Sequence, residues 1–543
     1  MKNCIAVTLC VTGVWALAAE NPLIVVDGKS PAEAGAKVTL CEDGRVLVSA
    51  TEPISTVRIE WTKHWADGTK YLNDAWERSC GDIRWQPVPK VKTEPWYAFW
   101  REGVKEGISP WYFLVTDGER TDGYGVKVQP NALCCWKVHA GGYALELDVT
   151  AGGRPVRLGG RTLEACTIVT REGCEGESAF AAGRAFCKLM CPKAKLAKEP
   201  VYGYNDWYCA YGKNTATNFL KDAAFVCSLA KGLKNRPCVV MDDGWQKNSP
   251  PVVKAYLDNG PGGSGYGPWS ESSAQFGMGM PEFAAKVKSL GAKPGLWYRP
   301  YRAWPGAPED LKADNDIWCF DPTKPAVKKM IFEDVSRFRA WGFDLVKIDY
   351  LTKDLCGLYG LSMGDRVFHE DMNWADDTRT SAEVMLDLLR TMRTAAGDDM
   401  VIIGCNALNH LVAGLFEVQR TGGDTSGWKW EQTRQNGVNT LSMRAIQDRI
   451  FFAVDADCAG LAHADAVPWV KNRQWIDLLG RSGTPFFISW KQELATSEVC
   501  AAISAAFSLA AVPRQIAEPL DWKANSKSCV WRTANGISVY DWE

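Results

Sequence analysis

The sequence predicts an α/β protein, a TIM (β/α)8 barrel preceded by an N-terminal antiparallel β-sandwich domain and followed by a short C-terminal β region. Three observations carry this. Beyond Pro200 the 543-residue chain alternates apolar strand-like runs with amphipathic stretches, eight times over. Ahead of Pro200, short alternating runs are broken by Gly, Asp and Pro turns, the rhythm of hairpins. In the second half, polar residues gather where each strand-like run ends, which is the face on which barrels build their sites.

In order along the chain, residues 1–18 read as an export signal, with Lys2, an apolar stretch over 5–17 and the small-residue cleavage pattern Ala16-Leu17-Ala18. The mature protein is expected in the periplasm or outside the cell. Residues 22–198 form the sandwich, with strand-like runs at 45–48, 111–115 and 143–147. A lysine-rich stretch over 194–200 closing on Pro200 reads as a linker. The barrel then occupies 200–490, with strands at 201–204, 237–241, 294–297, 345–348, 400–403, 416–419, 450–454 and 485–488. Amphipathic stretches at 283–290, 327–341 and 381–395 supply intervening helices. An open doubly wound sheet is the competing arrangement, but no Gly-rich phosphate loop follows the first strand. Residues 491–543 are expected to be a reduced β region, with strands at 529–532 and 537–540.

Composition narrows the function classes. A net charge of −2 and a pI near 6.3 give no reason to expect nucleic acid or an anionic membrane surface as partner. No segment after the signal approaches a membrane span. Of 19 cysteines, Cys4 and Cys10 leave with the signal, and the remainder (19 − 2 = 17) is odd, so one thiol stays unpaired unless it bridges chains. Neither Cys187-x-x-x-Cys191 nor Cys134-Cys135 has a second pair at zinc spacing, and with 5 His no metal or other cofactor is expected. The 25 tryptophans suit sugar stacking, although large aromatics more often serve as core.

The chemistry-bearing residues sit at two strand ends. In the run 345–349, alternation puts Lys347 and Asp349 on one face, where the lysine favours an ionised carboxylate, as a nucleophile requires. In Arg420-Thr421-Gly422-Gly423-Asp424, two glycines let the chain turn and present Asp424 over a cavity. Two carboxylates delivered to one pocket are the usual equipment for glycosidic cleavage. Each pairing also has a bland reading as a strand-end ion pair, and Asp242-Asp243-Gly244 is also an ordinary turn.

These motifs occur in an order that resembles the α-galactosidase clan of retaining glycoside hydrolases, which includes the melibiases and raffinose-synthase-like enzymes. The likeness runs over residues 202–489 through Val240-Met241-Asp242-Asp243-Gly244-Trp245-Gln246, Gly291-Ala292-Lys293-Pro294-Gly295-Leu296-Trp297, Leu345-Val346-Lys347-Ile348-Asp349 and Arg420-Thr421-Gly422-Gly423-Asp424. It implies Asp349 as nucleophile and Asp424 as general acid/base. It further implies that Lys347, Asp242 and Asp243 bind sugar hydroxyls, that Arg420 reaches the 2-hydroxyl region, and that Trp207 and Trp245 form apolar walls. Trp297 closes the third-strand motif and, with Cys405, is carried over to the substrate-binding set. The substrate would be an oligosaccharide or glycan bearing terminal α-galactose. The chain departs from the pattern at Asn205-Asp206-Trp207, Arg299 and Asn406, which leaves open α-N-acetylgalactosaminidase, α-galactosyl transferase and non-catalytic carbohydrate-binding alternatives. The Gly-, Pro- and Ser-rich stretch over 247–279, with Tyr256, Tyr266 and Trp269, reads as a loop over the site.

Overall fold

The computed structural model describes residues 21–89, 107–247, 267–314, 319–461 and 466–543. The signal stretch and most of the loop at 247–279, including Tyr256 and Tyr266, lie outside them. Among the described residues, no helix is long and apolar enough to cross a membrane, and no group of three or more His, Cys, Asp or Glu is arranged to hold a metal ion.

The N-terminal domain is a two-sheet antiparallel sandwich. One sheet has the order Leu23–Val26, Thr56–Thr62, Gly142–Asp148, Leu133–His139 and Ile108–Pro110. The other has the order Ala36–Leu40, Arg45–Ala50, Leu163–Arg171, Thr121–Val126, Tyr112–Thr116, Lys70–Leu72 and Trp85–Pro87. Alternation is visible in Thr56–Thr62, whose Val57, Ile59 and Trp61 are buried while their neighbours face outward. Trp61, Trp136 and Tyr143 stack between the sheets. A helix, Ala179–Met190, capped by the Ser178 hydroxyl, then leads toward the barrel.

The barrel strands are Tyr202–Asn205, Cys238–Met241, Lys293–Tyr298, Leu345–Ile348, Val401–Gly404, Val418–Arg420, Ala453–Asp455 with Cys458–Leu461, and Phe486–Trp490, all parallel. The seventh strand is broken at Ala456-Asp457, where Asp457 takes φ 67°. Its first half pairs with the sixth strand and its second half with the eighth, which in turn pairs with the first, so the ring closes. Gly203 is required where the first two strands meet. With φ 149° it already lies outside the region open to side chains, and a Cβ there would stand 1.8 Å from the Cys238 carbonyl oxygen.

Helices Met280–Ser289, Pro325–Ala340 and Ser381–Ala396 fall on the amphipathic stretches, the last closed by a Thr380/Glu383 capping box. The region after 490 differs from the expected β region. It contains the helix Ser497–Ala510, which packs beside Trp469–Ser482 as the last of the barrel layer, and β structure begins only at Glu518. An alanine-rich run with Val499, Ile503, Ala506 and Phe507 on one buried face explains the helix. Glu518–Pro519, Val530–Thr533 and Gly536–Val539 then form a three-stranded antiparallel sheet.

Most of the tryptophan excess is core: Trp61, Trp111, Trp136, Trp475, Trp531 and Trp542 are each fully buried.

Candidate active site

The fourth strand places Asp349 at its C-terminal end, buried at 7 % exposure. Trp297 Nε1 donates to its Oδ2 at 3.0 Å and the Tyr350 backbone N–H to its Oδ1 at 2.7 Å. Tyr350 takes φ 61°, a strained conformation for a bulky residue, held where the chain turns from the fourth strand into helix Leu351–Cys356. Burial alone would raise the Asp349 carboxyl. Lys347, then Arg420, then the Trp297 hydrogen bond and the Cys405 thiol outweigh it and hold the group below the ordinary carboxylate range. An ionised, oriented carboxylate is the result.

The second strand ends in Asp242 and Asp243, each 3 % exposed. Lys347 Nζ donates to Asp242 Oδ2 at 2.7 Å, and Asn205 Nδ2 donates to the same oxygen at 2.8 Å. Asp206 Oδ1 accepts from the Asp242 backbone N–H at 2.7 Å, so the departure Asn205-Asp206 is used to fix the Asp242 loop. Gln246 Nε2 donates to Asp243 Oδ1 at 2.7 Å. Burial pushes Asp243 up to about 7, with the Asp242 charge adding to the rise, and pushes Asp206 up to about 8 with the same helper. Asp243 is thereby shifted toward its protonated form.

The sixth strand ends in Arg420, whose guanidinium Nη2 ion-pairs with Asp424 Oδ1, while Nε donates to the Gly422 carbonyl at 3.1 Å. Asp424 is the most open of these groups, its side chain 45 % exposed. Burial would raise it, but Arg420 and then Arg78 and Lys347 hold it below the usual range. Lys347 and Arg420 thus act on both Asp349 and Asp424, which places the two carboxylates in one electrostatic site. The loop around Asp424 is tied down from the seventh strand, where Asp457 Oδ2 accepts from the Thr425 N–H at 2.8 Å and from the Tyr208 hydroxyl at 2.5 Å.

It is tied from the sandwich as well. Ser79 pairs with Gly422 as a parallel bridge: its N–H donates to the Thr421 carbonyl and its carbonyl accepts from the Gly423 N–H, both at 2.8 Å. The buried Arg444 binds the same segment, ion-pairing with Asp74 at 2.9 Å and donating to the Glu77 carbonyl at 2.5 Å and the Thr421 carbonyl at 3.0 Å. Glu77 and Arg78 are thereby set on the barrel rim. Glu77 accepts from Thr352 Oγ1 at 2.6 Å and from Asn406 Nδ2 at 3.4 Å.

The remaining expected residues divide. Trp297 binds Asp349 directly. Cys405 is a buried thiol whose Sγ donates to Asn406 Oδ1 at 3.9 Å and which lies in the field of Asp349, Lys347 and Arg420. Trp207 is half-buried on the rim against Tyr211, whose hydroxyl accepts from Trp428 Nε1 at 2.7 Å. Trp245 is placed elsewhere. It is fully buried, donates to the Trp297 carbonyl at 3.0 Å, and packs on Phe338 and Trp341 between strands and helices, so it supports the site from behind and forms no wall. Trp269 likewise packs on Trp245 and Trp297 as core. Arg299 binds Asp354, at 2.8 and 2.6 Å, with its guanidinium 4.1 Å over the Tyr350 ring. Sequence reasoning missed Glu77 and Arg78, because a turn in the sandwich carries no local sign that it ends beside Asp424.

No protein-family model matches the chain. Solved structures do match. The alpha-galactosidase TtGalA from Thermus thermophilus, in complex with p-nitrophenyl alpha-D-galactopyranoside, aligns with a TM-score of 0.61 at 15 % identity over 96 % of this chain and 99 % of that one. This chain has the fold of that alpha-galactosidase. The alpha-galactosidase AgaA from Geobacillus stearothermophilus, in complex with stachyose, aligns with a TM-score of 0.56 at 14 % identity, covering 90 % of this chain and 69 % of that one. A cycloalternan-degrading enzyme from Trueperella pyogenes shares the fold at 10 % identity and a TM-score of 0.51, over 90 % and 73 % of the two chains.

Proposed function

We propose that the chain is a retaining α-galactosidase that removes terminal α-linked galactose from oligosaccharides or glycans. The observation that carries this reading is the pairing of a fully oriented, ionised Asp349 with a more open Asp424 under the shared cations Lys347 and Arg420. Asp349 attacks the anomeric carbon as Asp424 gives its proton to the departing oxygen, leaving a covalent glycosyl-enzyme. Asp424, now charged, takes a proton from water, which attacks the same carbon, expels Asp349 and frees the sugar with its configuration kept. In the free enzyme Asp424 is paired to Arg420. Substrate hydroxyls that draw Arg420 away would let Asp424 take up the proton it must donate.

Asp242 and Lys347 form one hydrogen-bonded unit at the floor of the site, suited to a pair of neighbouring hydroxyls. A panel of p-nitrophenyl α-glycosides tests the assignment, with galactoside hydrolysis well above glucoside, N-acetylgalactosaminide and arabinopyranoside as the expected ranking. A preference for the glucoside would replace galactose with glucose in this reading. A fluorinated galactosyl substrate should leave a covalent adduct on Asp349, found by peptide mass spectrometry. We also propose export after cleavage behind Ala18, which N-terminal sequencing of the mature protein checks.

A further inference from the structure

We propose that Arg78, supplied by the sandwich domain, binds the hydroxyl oxygens of a sugar on the leaving-group side, so that the substrate is an oligosaccharide with a saccharide leaving group. The inference deepens the reading above and rests on Asp424 as the acid. Arg78 is held in place by its neighbours. Ser79 is bridged to Gly422, two residues before Asp424, and Arg444 fixes the Glu77 carbonyl. The guanidinium lies 4.8 Å over the Tyr359 ring, which belongs to the barrel loop after the nucleophile helix. It is thus seated between the loops that follow the fourth and sixth strands.

The side chain is only 17 % exposed, and its buried Nε has no hydrogen-bond partner. The Glu77 carboxylate, at 3.7 Å from Nε, is in electrostatic contact but beyond hydrogen-bonding reach. Glu77 spends its own acceptors on Thr352 and Gly360. A guanidinium largely removed from water normally has its donors used. Nε itself is enclosed, so acceptors brought by a ligand would meet the Nη edge of the guanidinium. Its field reaches Asp424, and the Asp424 proton goes to the departing oxygen, so a ligand at Arg78 belongs to the departing group.

Charge decides the ligand class. With Asp424 protonated, the cations Lys347, Arg420 and Arg78 face the carboxylates Asp242, Asp349, Glu77 and Asp457, while Asp243 is pushed toward its neutral form. The balance is not positive, and nothing there asks for an anionic substrate. Neutral hydroxyls are the acceptors that fit.

The test compares kcat/KM of wild type, R78A and R78K on raffinose and on methyl α-galactoside, whose leaving group needs the same help from the acid but brings no sugar hydroxyls. R78A loses the Arg78 charge near Asp424 on either substrate, so the expected result is a loss on raffinose that exceeds the loss on the methyl galactoside by roughly 10- to 100-fold, the range for a hydrogen bond from a charged donor. R78K should recover part of it. Equal losses on both substrates would mean that Arg78 only supports the fold or the charge of Asp424, and unchanged kinetics on both would remove it from the site. Either result overturns the inference while leaving the α-galactosidase reading intact. A wild type inert toward both galactosides would end that reading, and this inference with it.

Discussion

At the residue scale, the directions in which Asp349 and Asp424 are shifted decide how the activity should depend on pH. The proposed mechanism needs Asp349 ionised and Asp424 protonated in the free enzyme. Both are held below the ordinary carboxylate range. Asp349 therefore stays charged below the pH at which a free carboxyl takes up its proton, while Asp424 loses its proton at a lower pH than a free carboxyl would. The expected kcat/KM profile peaks in acid and falls as pH rises through the Asp424 ionisation. Bound substrate competes for Arg420, so the alkaline limb of kcat should lie at higher pH than that of kcat/KM, since the former reports the complex. Coincident limbs would mean that the Arg420–Asp424 pair survives binding. Linkage carries the opposite slope for stability. Groups with depressed values contribute above their unfolded pKa, and that contribution disappears as pH falls through the folded one. Peak activity thus falls at pH values where the native state has begun to weaken. Asp349→Asn should abolish turnover, by more than about a thousandfold, with unchanged circular dichroism. Substantial residual activity would reject the nucleophile.

At the scale of single elements, two positions in the barrel are sensitive for different reasons. Gly203→Ala drives a methyl into the Cys238 carbonyl at 1.8 Å and should prevent the first two strands from pairing, read as loss of soluble folded protein. Asp354→Ala removes the carboxylate that Arg299 holds through two hydrogen bonds under the Tyr350 ring, with both members of the pair almost wholly enclosed. Removing one member of a buried pair costs about 3–5 kcal/mol. The measurement is urea unfolding, and a change under about 1 kcal/mol would show that Arg299 reaches water or another partner. The strands themselves were legible in the sequence. Buried parallel strands are short continuous apolar runs, and Leu345–Ile348 or Val401–Gly404 admit little else once the flanking glycines and polar ends are fixed. The helix Ser497–Ala510 was not, because the expectation of terminal β structure overrode an amphipathic period that the residues do possess. Trp245 misled for a related reason. A tryptophan beside two aspartates satisfies a motif equally well whether its ring faces the sugar or the helices behind, and only packing against Phe338 and Trp341 decides.

At the scale of the whole molecule, the sandwich and the barrel share one functional centre. Lys347, Asp349, Arg420 and Asp424 could be proposed from local patterns, since strand alternation and strand ends give them a common side. Glu77 and Arg78 could not. Their placement depends on the domain interface, where Ser79, Asp74 and Arg444 join segments more than three hundred positions apart in the chain. A protein lacking residues 21–198 should accordingly be inactive on every glycoside even if its barrel folds, because the Asp424 loop loses the Ser79 bridge. Activity equal to that of the full chain, measured with an aryl galactoside, would show that the bridge is dispensable. The broken seventh strand has a bearing on laboratory diversification of this scaffold. By kinking at Asp457 it sends one carboxylate to Thr425 and Tyr208, so the loop that varies substrate choice in other barrels is here soldered to a neighbour. Libraries that randomise 421–428 while keeping Asp457 and Ser79 constant would be sampling side chains on a rigid frame, and wholesale loop exchange would have to import both anchors together.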